Sequence, residues 1–276
     1  MKETKLTFGQ GRQLSTLLYY EQLVPFAKLY QAVKPLAEKI QLAMQVVQDL
    51  NQGYLPPALP TMAVTQADID SLKATVLQRY PTDAVRGNHW WQSLIDSLPD
   101  LDQVLSNLRT YLIETFNMYG YVSQPLVETL GRLLNQQPVL EIMAGQGYLT
   151  AGLRALAPEQ RILATDNQDW QDQPITAVKP VTSVEKLSAL ESLVRYSQEV
   201  TTILLSWAPD TSTADWDVLK WLRKHQWFEH GQLIVIGERQ GATNSRKFWS
   251  QAHLTEVKTI QYPSFDIIDE RLYFVH

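Results

Sequence analysis

The sequence predicts an α/β protein in which an all-α N-terminal region precedes a domain built on a mostly parallel sheet. Over about the first 130 residues, apolar side chains recur at three- and four-residue steps, the spacing of helices with one buried face. From about residue 138, short apolar runs typical of strands alternate with helix-like runs. This alternation is typical of a parallel sheet covered by helices on both faces.

The predicted elements of the first half follow from this periodicity and from the residues that interrupt it. Thr65 is a candidate N-cap, with Asp68 in the first helical turn. Three prolines make the segment 53–65 a connector. In chain order we predict a helical pattern through Leu17–Val33, a helix at Leu36–Leu50, a connector at Gly53–Thr65, a helix at Gln66–Arg79, a turn at Ser97–Asp102 and a helix at Leu101–Met118.

The second half is predicted to alternate strand and helix until its last two elements. Because the final two strands have no helix between them, we expect an antiparallel addition at or near the sheet edge. The predicted strands are Val139–Met143, Arg161–Thr165, Thr201–Ser206, Gln232–Gly237, Thr255–Tyr262 and Arg271–Val275, and the predicted helices are Leu149–Leu156, Val184–Tyr196, Trp216–His225 and Asn244–His253.

Composition and charge narrow the classes of function. The chain of 276 residues is 45% hydrophobic and carries a net charge of −5, as ordinary globular proteins do. Residues 1–130 hold 10 basic and 12 acidic side chains, and residues 131–276 hold 14 and 17. Neither half therefore has the basic excess typical of proteins that bind phosphate backbones.

Missing features exclude further classes. The sequence has no cysteine, which excludes disulfides, thiolate nucleophiles and cysteine-ligated metals. Its five histidines are scattered, so we expect no metal site. The N-terminus lacks the apolar segment of a signal peptide, and no apolar run approaches the ~18 residues of a membrane span. We expect a cytoplasmic protein with no membrane partner.

The most informative segment is Pro138–Arg154, PVLEIMAGQGYLTAGLR. In it an apolar strand ends in the loop Ala144-Gly145-Gln146-Gly147, and a helix starts at once. Glycines allow a sharp turn and the close approach of a ligand, and the free N–H groups of the helix attract a carboxylate or phosphate. Asp166 comes nineteen residues after Gly147, just past the next strand, where an acid can bind ribose hydroxyls. Together these features predict a nucleotide-type site.

The loop resembles motif I of the class I S-adenosylmethionine-dependent methyltransferases, an acid followed by a glycine-rich turn. The resemblance implies that Glu141, Ala144, Gly145 and Gly147 line the cofactor S-adenosyl-L-methionine and that Asp166 holds its ribose. Met143 stands where the family has its first glycine. An NAD-dependent oxidoreductase is a further alternative, but the dinucleotide fingerprint would need a third glycine at Thr150.

Other segments resemble the same family in the same order. Tyr119–Pro125 is similar to the segment that closes over the cofactor, and Thr201–Asp210 to the loop after strand 4 that faces the transferred methyl group. The run LLSWAPD…GERQGAT is similar to a group of methyltransferases with a Trp and Pro after strand 4 and a Gly-Glu after strand 5. The last two strands resemble the family's strands 6 and 7, the last of which is reversed. The resemblance adds these cofactor-binding candidates: Tyr121, Ser123, Met143, Asn167, Ser206 and Trp207.

Two acids are the candidate general bases for methyl transfer. Asp210 follows the fourth strand of the family pattern, and its alternative role is that of a turn or capping residue. Glu238 follows the fifth strand, and its alternative is a solvated loop acid. Trp207 is expected either to stack on a flat ligand or to pack under the loop. His89 lies beside two tryptophans and is expected to be a packed surface or interface residue rather than a base.

These observations predict a seven-stranded Rossmann-like methyltransferase sheet, mostly parallel with its last strand antiparallel. We place this domain at residues 119–276 and the helical N-terminal domain at residues 1–118. The predicted function is methyl transfer from S-adenosyl-L-methionine to an unidentified acceptor, with a small molecule or protein favoured and nucleic acid left open. The alternative is a catalytically inactive relative, in which Met143 narrows the pocket and the helical half binds a partner. The oligomeric state stays open.

Overall fold

The computed structural model describes residues 5–7, 17–169, 179–239, 241–258 and 264–276. In the first half, helices appear where apolar periodicity predicts them, and the capping box of Thr65 and Asp68 begins the third helix. The helices before the sheet are α1 (Leu17–Leu29), α2 (Lys34–Gln52), α3 (Gln66–Arg79), α4 (Ala84–Ser106), α5 (Leu108–Phe116) and α6 (Gln124–Leu134).

The second half forms a seven-stranded sheet in the order β3-β2-β1-β4-β5-β7-β6. β7 runs antiparallel to both of its neighbours, and the remaining pairs are parallel. The strands are β1 (Val139–Ile142), β2 (Ile162–Asp166), β3 (Glu185–Lys186), β4 (Thr202–Ser206), β5 (Gln232–Glu238), β6 (Leu254–Glu256) and β7 (Glu270–Val275), and the helices are α7 (Tyr148–Leu156), α8 (Ala189–Tyr196), α9 (Ala214–Lys224) and α10 (Arg246–Gln251). The predicted architecture, a mostly parallel seven-stranded sheet with a reversed last strand and an all-α N-terminal region, is confirmed.

Each face of the sheet is covered by a separate hydrophobic core. Successive strand residues point to opposite faces, so Leu204 and Ile234 belong to one core and Leu205 and Val235 to the other. The first core continues through α6 and α7 into the N-terminal helices, and the second lies against α8, α9 and α10. Because both faces are buried, the central strands read in the sequence as unbroken apolar runs.

The turn predicted at Ser97–Asp102 is wrong, because α4 runs through Pro99 to Ser106. A proline inside a helix removes one hydrogen bond and costs about 3 kcal/mol. Burial outweighs this cost, since four buried leucines follow one face of the helix. They are Leu94, Leu98, Leu101 and Leu105. The helix breaks instead at Asn107, and α5 covers the second part of the helix predicted at Leu101–Met118.

Two predicted elements of the second half are also corrected. Residues 185–186 of the helix predicted at Val184–Tyr196 form the edge strand β3, and α8 starts only at Ala189, after the capping box of Ser188 and Glu191. The strand predicted at Thr255–Tyr262 is shorter and earlier, because β6 spans Leu254–Glu256. Positions 259–262 of that prediction lie outside the described residues.

Candidate active site

A cavity of about 550 Å³ lies at the carboxyl ends of β1, β2 and β4. This is the edge at which open α/β sheets bind ligands, at the point where the strand order reverses between β1 and β4. α5 and the segment that follows it form another wall, through residues such as Arg109 and Tyr119. The volume is in the range of small-molecule and cofactor sites.

The loop after β1 takes up left-handed backbone conformations at Met143, Gly145 and Gly147, with φ of 58°, 52° and 75°. A Cβ added to Gly145 would meet no atom within 4 Å, so this glycine borders open space on the cavity wall. A Cβ added to Gly147 would lie 2.9 Å from side-chain carbons of Thr182 and Val184. Gly147 is therefore required by packing at the start of α7 and is absent from the cavity lining.

Met143 adopts the backbone geometry that explains why the family pattern has glycine at this place. A left-handed conformation costs a non-glycine residue about 1–2 kcal/mol. The side chain is partly buried against the core beside α8, α9 and α10 and also lines the cavity. It leaves the space beside Gly145 open.

Asp166, the last residue of β2, turns its carboxylate inward and is only 7% exposed. Its two oxygens accept hydrogen bonds from the backbone amides of Gly145 at 2.8 Å and Gln168 at 2.7 Å. The carboxylate therefore links the glycine loop to the end of β2 while lining the cavity. Asn167 and Ala144, also predicted site residues, line the same cavity.

Glu141 is buried inside β1 and joins this strand to α7. Its carboxylate accepts hydrogen bonds from the Thr150 backbone amide at 3.1 Å and from the Thr150 hydroxyl. Burial raises the pKa of Glu141 to about 7, although the Thr150 hydrogen bonds and the charge of Arg154 oppose this rise. Glu141 lines the cavity wall at the base of the glycine loop.

Ser206 and Trp207 lie at the end of β4 and both line the cavity. The Trp207 amide donates to the Ile236 carbonyl at 2.8 Å, and its indole packs so closely on Gly120 that an added Cβ there would overlap the ring. Packing on Gly120 therefore covers one face of the indole ring. Among the described residues, neither the Ser206 hydroxyl nor the Trp207 Nε1 has a hydrogen-bond partner, although both atoms are buried.

Of the two candidate bases, only Asp210 lies on the cavity wall, as an exposed residue near Pro209. The Glu238 carboxylate instead accepts hydrogen bonds from the amides of Ala242 at 2.6 Å and Asp269 at 2.9 Å. Glu238 is absent from the lining and connects the loops that follow β5 and precede β7.

Two more predicted residues lie away from the cavity lining. Tyr121 is buried and donates its hydroxyl to the Pro57 carbonyl at 2.6 Å. Ser123 is the N-cap of α6, and its hydroxyl accepts a hydrogen bond from the Leu126 amide. The segment between α5 and α6 nevertheless reaches the cavity through Asn117, Tyr119 and Gly120.

The sequence reasoning missed Arg109 and Glu270, which also line the cavity. Arg109 forms ion pairs with Asp266 and Glu270, and its guanidinium donates to the Tyr119 carbonyl at 2.8 Å. Burial lowers the pKa of Arg109, but the hydrogen bonds and charges of the two carboxylates outweigh this and raise it. The partners are 157 and 161 positions apart in sequence, so no local pattern indicates the contact.

Within the described ranges, no group of three or more His, Cys, Asp or Glu side chains could hold a metal ion. None of the helices in the described part of the chain is long and apolar enough to cross a bilayer.

Comparisons with known proteins give only distant likenesses. No protein-family model matches the sequence, and no curated protein is detectably similar to it. Among solved structures, the chain is similar to the fibrillarin/NOP5P complex at 12% identity, with 55% of this chain and 82% of that chain covered and a TM-score of 0.34. The plantazolicin methyltransferase BpumL, in complex with SAH, is 11% identical, with 67% and 68% covered and a TM-score of 0.32. The pyocyanin biosynthetic protein PhzM is 14% identical, with 96% and 74% covered and a TM-score of 0.31.

Proposed function

We propose that this protein is a cytoplasmic S-adenosylmethionine-dependent methyltransferase that acts on a small molecule or protein. The observation that carries the proposal is the pairing of Gly145, which borders open space, with the inward-facing carboxylate of Asp166. Both lie at the switch point of a sheet whose strand β7 is reversed, a feature that the simple dinucleotide fold lacks. The sheet order thus favours a methyltransferase over an NAD-dependent oxidoreductase.

The lining of the cavity fits an adenosyl cofactor. Since Gly145 has no side chain, a ligand can approach the backbone there, next to the N-terminus of α7, the positive end of its helix dipole. Asp166 lines the cavity with a carboxylate, a group that accepts hydrogen bonds from ribose hydroxyls. Asp166 also places negative charge on the cavity wall, which suits a cofactor that carries a sulfonium cation.

Methyl transfer requires the protein to align the methyl donor with the acceptor and, for some acceptors, to remove a proton. When bound, S-adenosylmethionine supplies an electrophilic methyl group. Trp207 and the segment around Gly120 shape the wall at the end of β4 and limit the positions an acceptor can take. Asp210 is the proposed base, because it lies on the cavity wall while the Glu238 carboxylate is held by two backbone amides.

Isothermal titration calorimetry with S-adenosylhomocysteine tests the cofactor site. We expect Asp166→Ala to weaken binding by about 1–3 kcal/mol, the magnitude of hydrogen bonds to a charged acceptor. Asp217→Ala is the matched control, since Asp217 pairs with Lys220 on α9 and is absent from the cavity lining. Both variants are first checked for folding by circular dichroism.

Three results would count against the proposal. Unchanged affinity in a folded Asp166→Ala protein would show that the ribose assignment is wrong. If the unmodified protein did not bind S-adenosylhomocysteine at millimolar concentration, the alternative of a non-catalytic relative would be favoured. If NADH bound more tightly than S-adenosylhomocysteine, the protein would be an oxidoreductase.

A further inference from the structure

We infer that the methyl acceptor is a neutral or cationic molecule, and that the lining of the cavity disfavours anionic acceptors such as carboxylates and phosphates. This inference rests on the proposed function and names the substrate class for the same cavity. Two features carry it: the charge of the lining and the occupied donors of Arg109.

The first feature is an excess of carboxylates on the cavity wall. Five acidic side chains line it, and Arg109 is the one basic side chain among the described lining residues. Even with Glu141 protonated, the other four outnumber that arginine. Because Asp166 and Glu270 are buried, water screens their charge poorly, and an anionic ligand would be repelled. The acids are Glu141, Asp166, Asp169, Asp210 and Glu270.

The second feature is that Arg109 has no donor left for a ligand. Its Nε and one Nη2 hydrogen point to Asp266, and the other Nη2 hydrogen points to Glu270. Its Nη1 hydrogens serve the Tyr119 carbonyl at 2.8 Å and Glu270 at 3.2 Å. A guanidinium has five N–H donors, and these bonds engage all five. An anionic acceptor would therefore have to break a buried ion network in order to use this cation.

The chemistry of the reaction agrees with this assignment. The acceptor's lone pair forms the new bond to the methyl carbon, and the carbon–sulfur bond breaks with its electron pair returning to sulfur. Positive charge thereby passes from the sulfonium to the acceptor atom, which then releases a proton, where it has one, to Asp210 or to water. The acidic lining favours a cationic donor, a cationic methylated product and a neutral or cationic acceptor.

The test is a ligand-observed NMR screen of the full-length protein saturated with S-adenosylhomocysteine. The library contains equal numbers of anionic, neutral and cationic aromatic fragments of matched size, such as 4-hydroxyphenylacetate, 4-hydroxyphenylacetamide and tyramine. We expect neutral and cationic fragments to bind at least about ten-fold more tightly than their anionic counterparts, as repulsion by the lining requires. Equal or tighter binding of the anions would overturn the inference. So would the absence of any bound fragment in protein that holds S-adenosylhomocysteine.

Two variants locate the effect. Asp210→Arg should relax the rejection of anions about ten-fold, whereas Glu159→Arg, a reversal of an exposed acid outside the lining, should not. If Glu159→Arg acts like Asp210→Arg, the inference fails. Failure of the unmodified protein to bind S-adenosylhomocysteine would instead count against the proposed function.

Discussion

Arg109→Met should destabilise the protein strongly, because this arginine is the cation of a buried ion network between α5 and β7. The Arg109 side chain is 16% exposed, that of Asp266 16% and that of Glu270 2%. Methionine preserves much of the apolar stem but removes the guanidinium that both carboxylates contact. It also removes the hydrogen bond to the Tyr119 carbonyl, which holds the cavity segment after α5.

The expected magnitude follows from how deeply the partners are buried. Removing one member of a buried ion pair costs about 3–5 kcal/mol, because the remaining charge loses its compensation. Since Arg109 and Asp266 keep some solvent contact, we expect the lower end, a loss of about 3 kcal/mol in the free energy of unfolding. With a urea m-value of about 3 kcal/mol per M for a chain of this size, the midpoint should fall by about 1 M.

Urea unfolding followed by tryptophan fluorescence measures this loss. Arg161→Met is the matched control, because its ion pair with Glu199 is exposed at 53% and 44% and should contribute under about 1 kcal/mol. Adding Glu270→Gln to Arg109→Met should recover part of the stability, since the double variant buries one carboxylate charge fewer. If Arg109→Met unfolds at the same urea concentration as Arg161→Met, the network does not stabilise this junction and the reasoning is wrong.

Two further predictions concern the glycine loop and the buried acid of β1. Gly145→Ala should weaken S-adenosylhomocysteine binding in calorimetry, because its methyl group enters the open space of the cavity, and its left-handed backbone should cost about 1–2 kcal/mol of stability. Gly147→Ala should lose more stability, since its Cβ lies 2.9 Å from side-chain carbons of Thr182 and Val184. The reverse ranking of the two stabilities would contradict the assigned packing. Glu141, with a pKa of about 7 in the fold against 4.5 when unfolded, binds its proton more tightly in the folded state, so its contribution to stability falls as pH rises from 4.5 to 7. Glu141→Gln should therefore have about the same free energy of unfolding as the unmodified protein near pH 5 and be more stable by up to about 3 kcal/mol at pH 8. A stability difference in urea unfolding that does not change with pH would refute this prediction.

The parts of the fold predicted from sequence are those in which local chemistry and tertiary packing agree. β4 and β5 are buried on both faces, so their apolar runs mark them as strands without any knowledge of their neighbours. The glycine loop can equally be predicted from the sequence, because the left-handed backbone at Gly145 and Gly147 restricts which residues can stand there. The position of Asp166 follows from the end of the preceding strand.

The failures occur where a distant contact outweighs the local signal. β3 is a two-residue edge strand, Glu185–Lys186, whose charged side chains carry no strand pattern, and it exists because it pairs with β2. α4 continues through Pro99 because its leucines are buried against other helices. The candidate site shows the same limit, since Glu238 is held by amides from two loops and only the folded chain brings those loops together.

The helical half of the chain contributes residues to the cavity wall. The cavity takes Arg109 and Tyr119 from the region before the sheet and Gly145 and Asp166 from the sheet domain, so neither group of residues encloses it alone. One hydrophobic core also runs from the N-terminal helices to α7, and the Tyr148 hydroxyl donates to the Phe116 carbonyl at 2.9 Å across the predicted domain boundary. The boundary between residues 118 and 119 therefore separates two sequence patterns that share one core. Because substitutions in the helices can move Tyr119 and Gly120 against Trp207, we expect such substitutions to change which ligands the cavity binds, even though they lie far from the glycine loop.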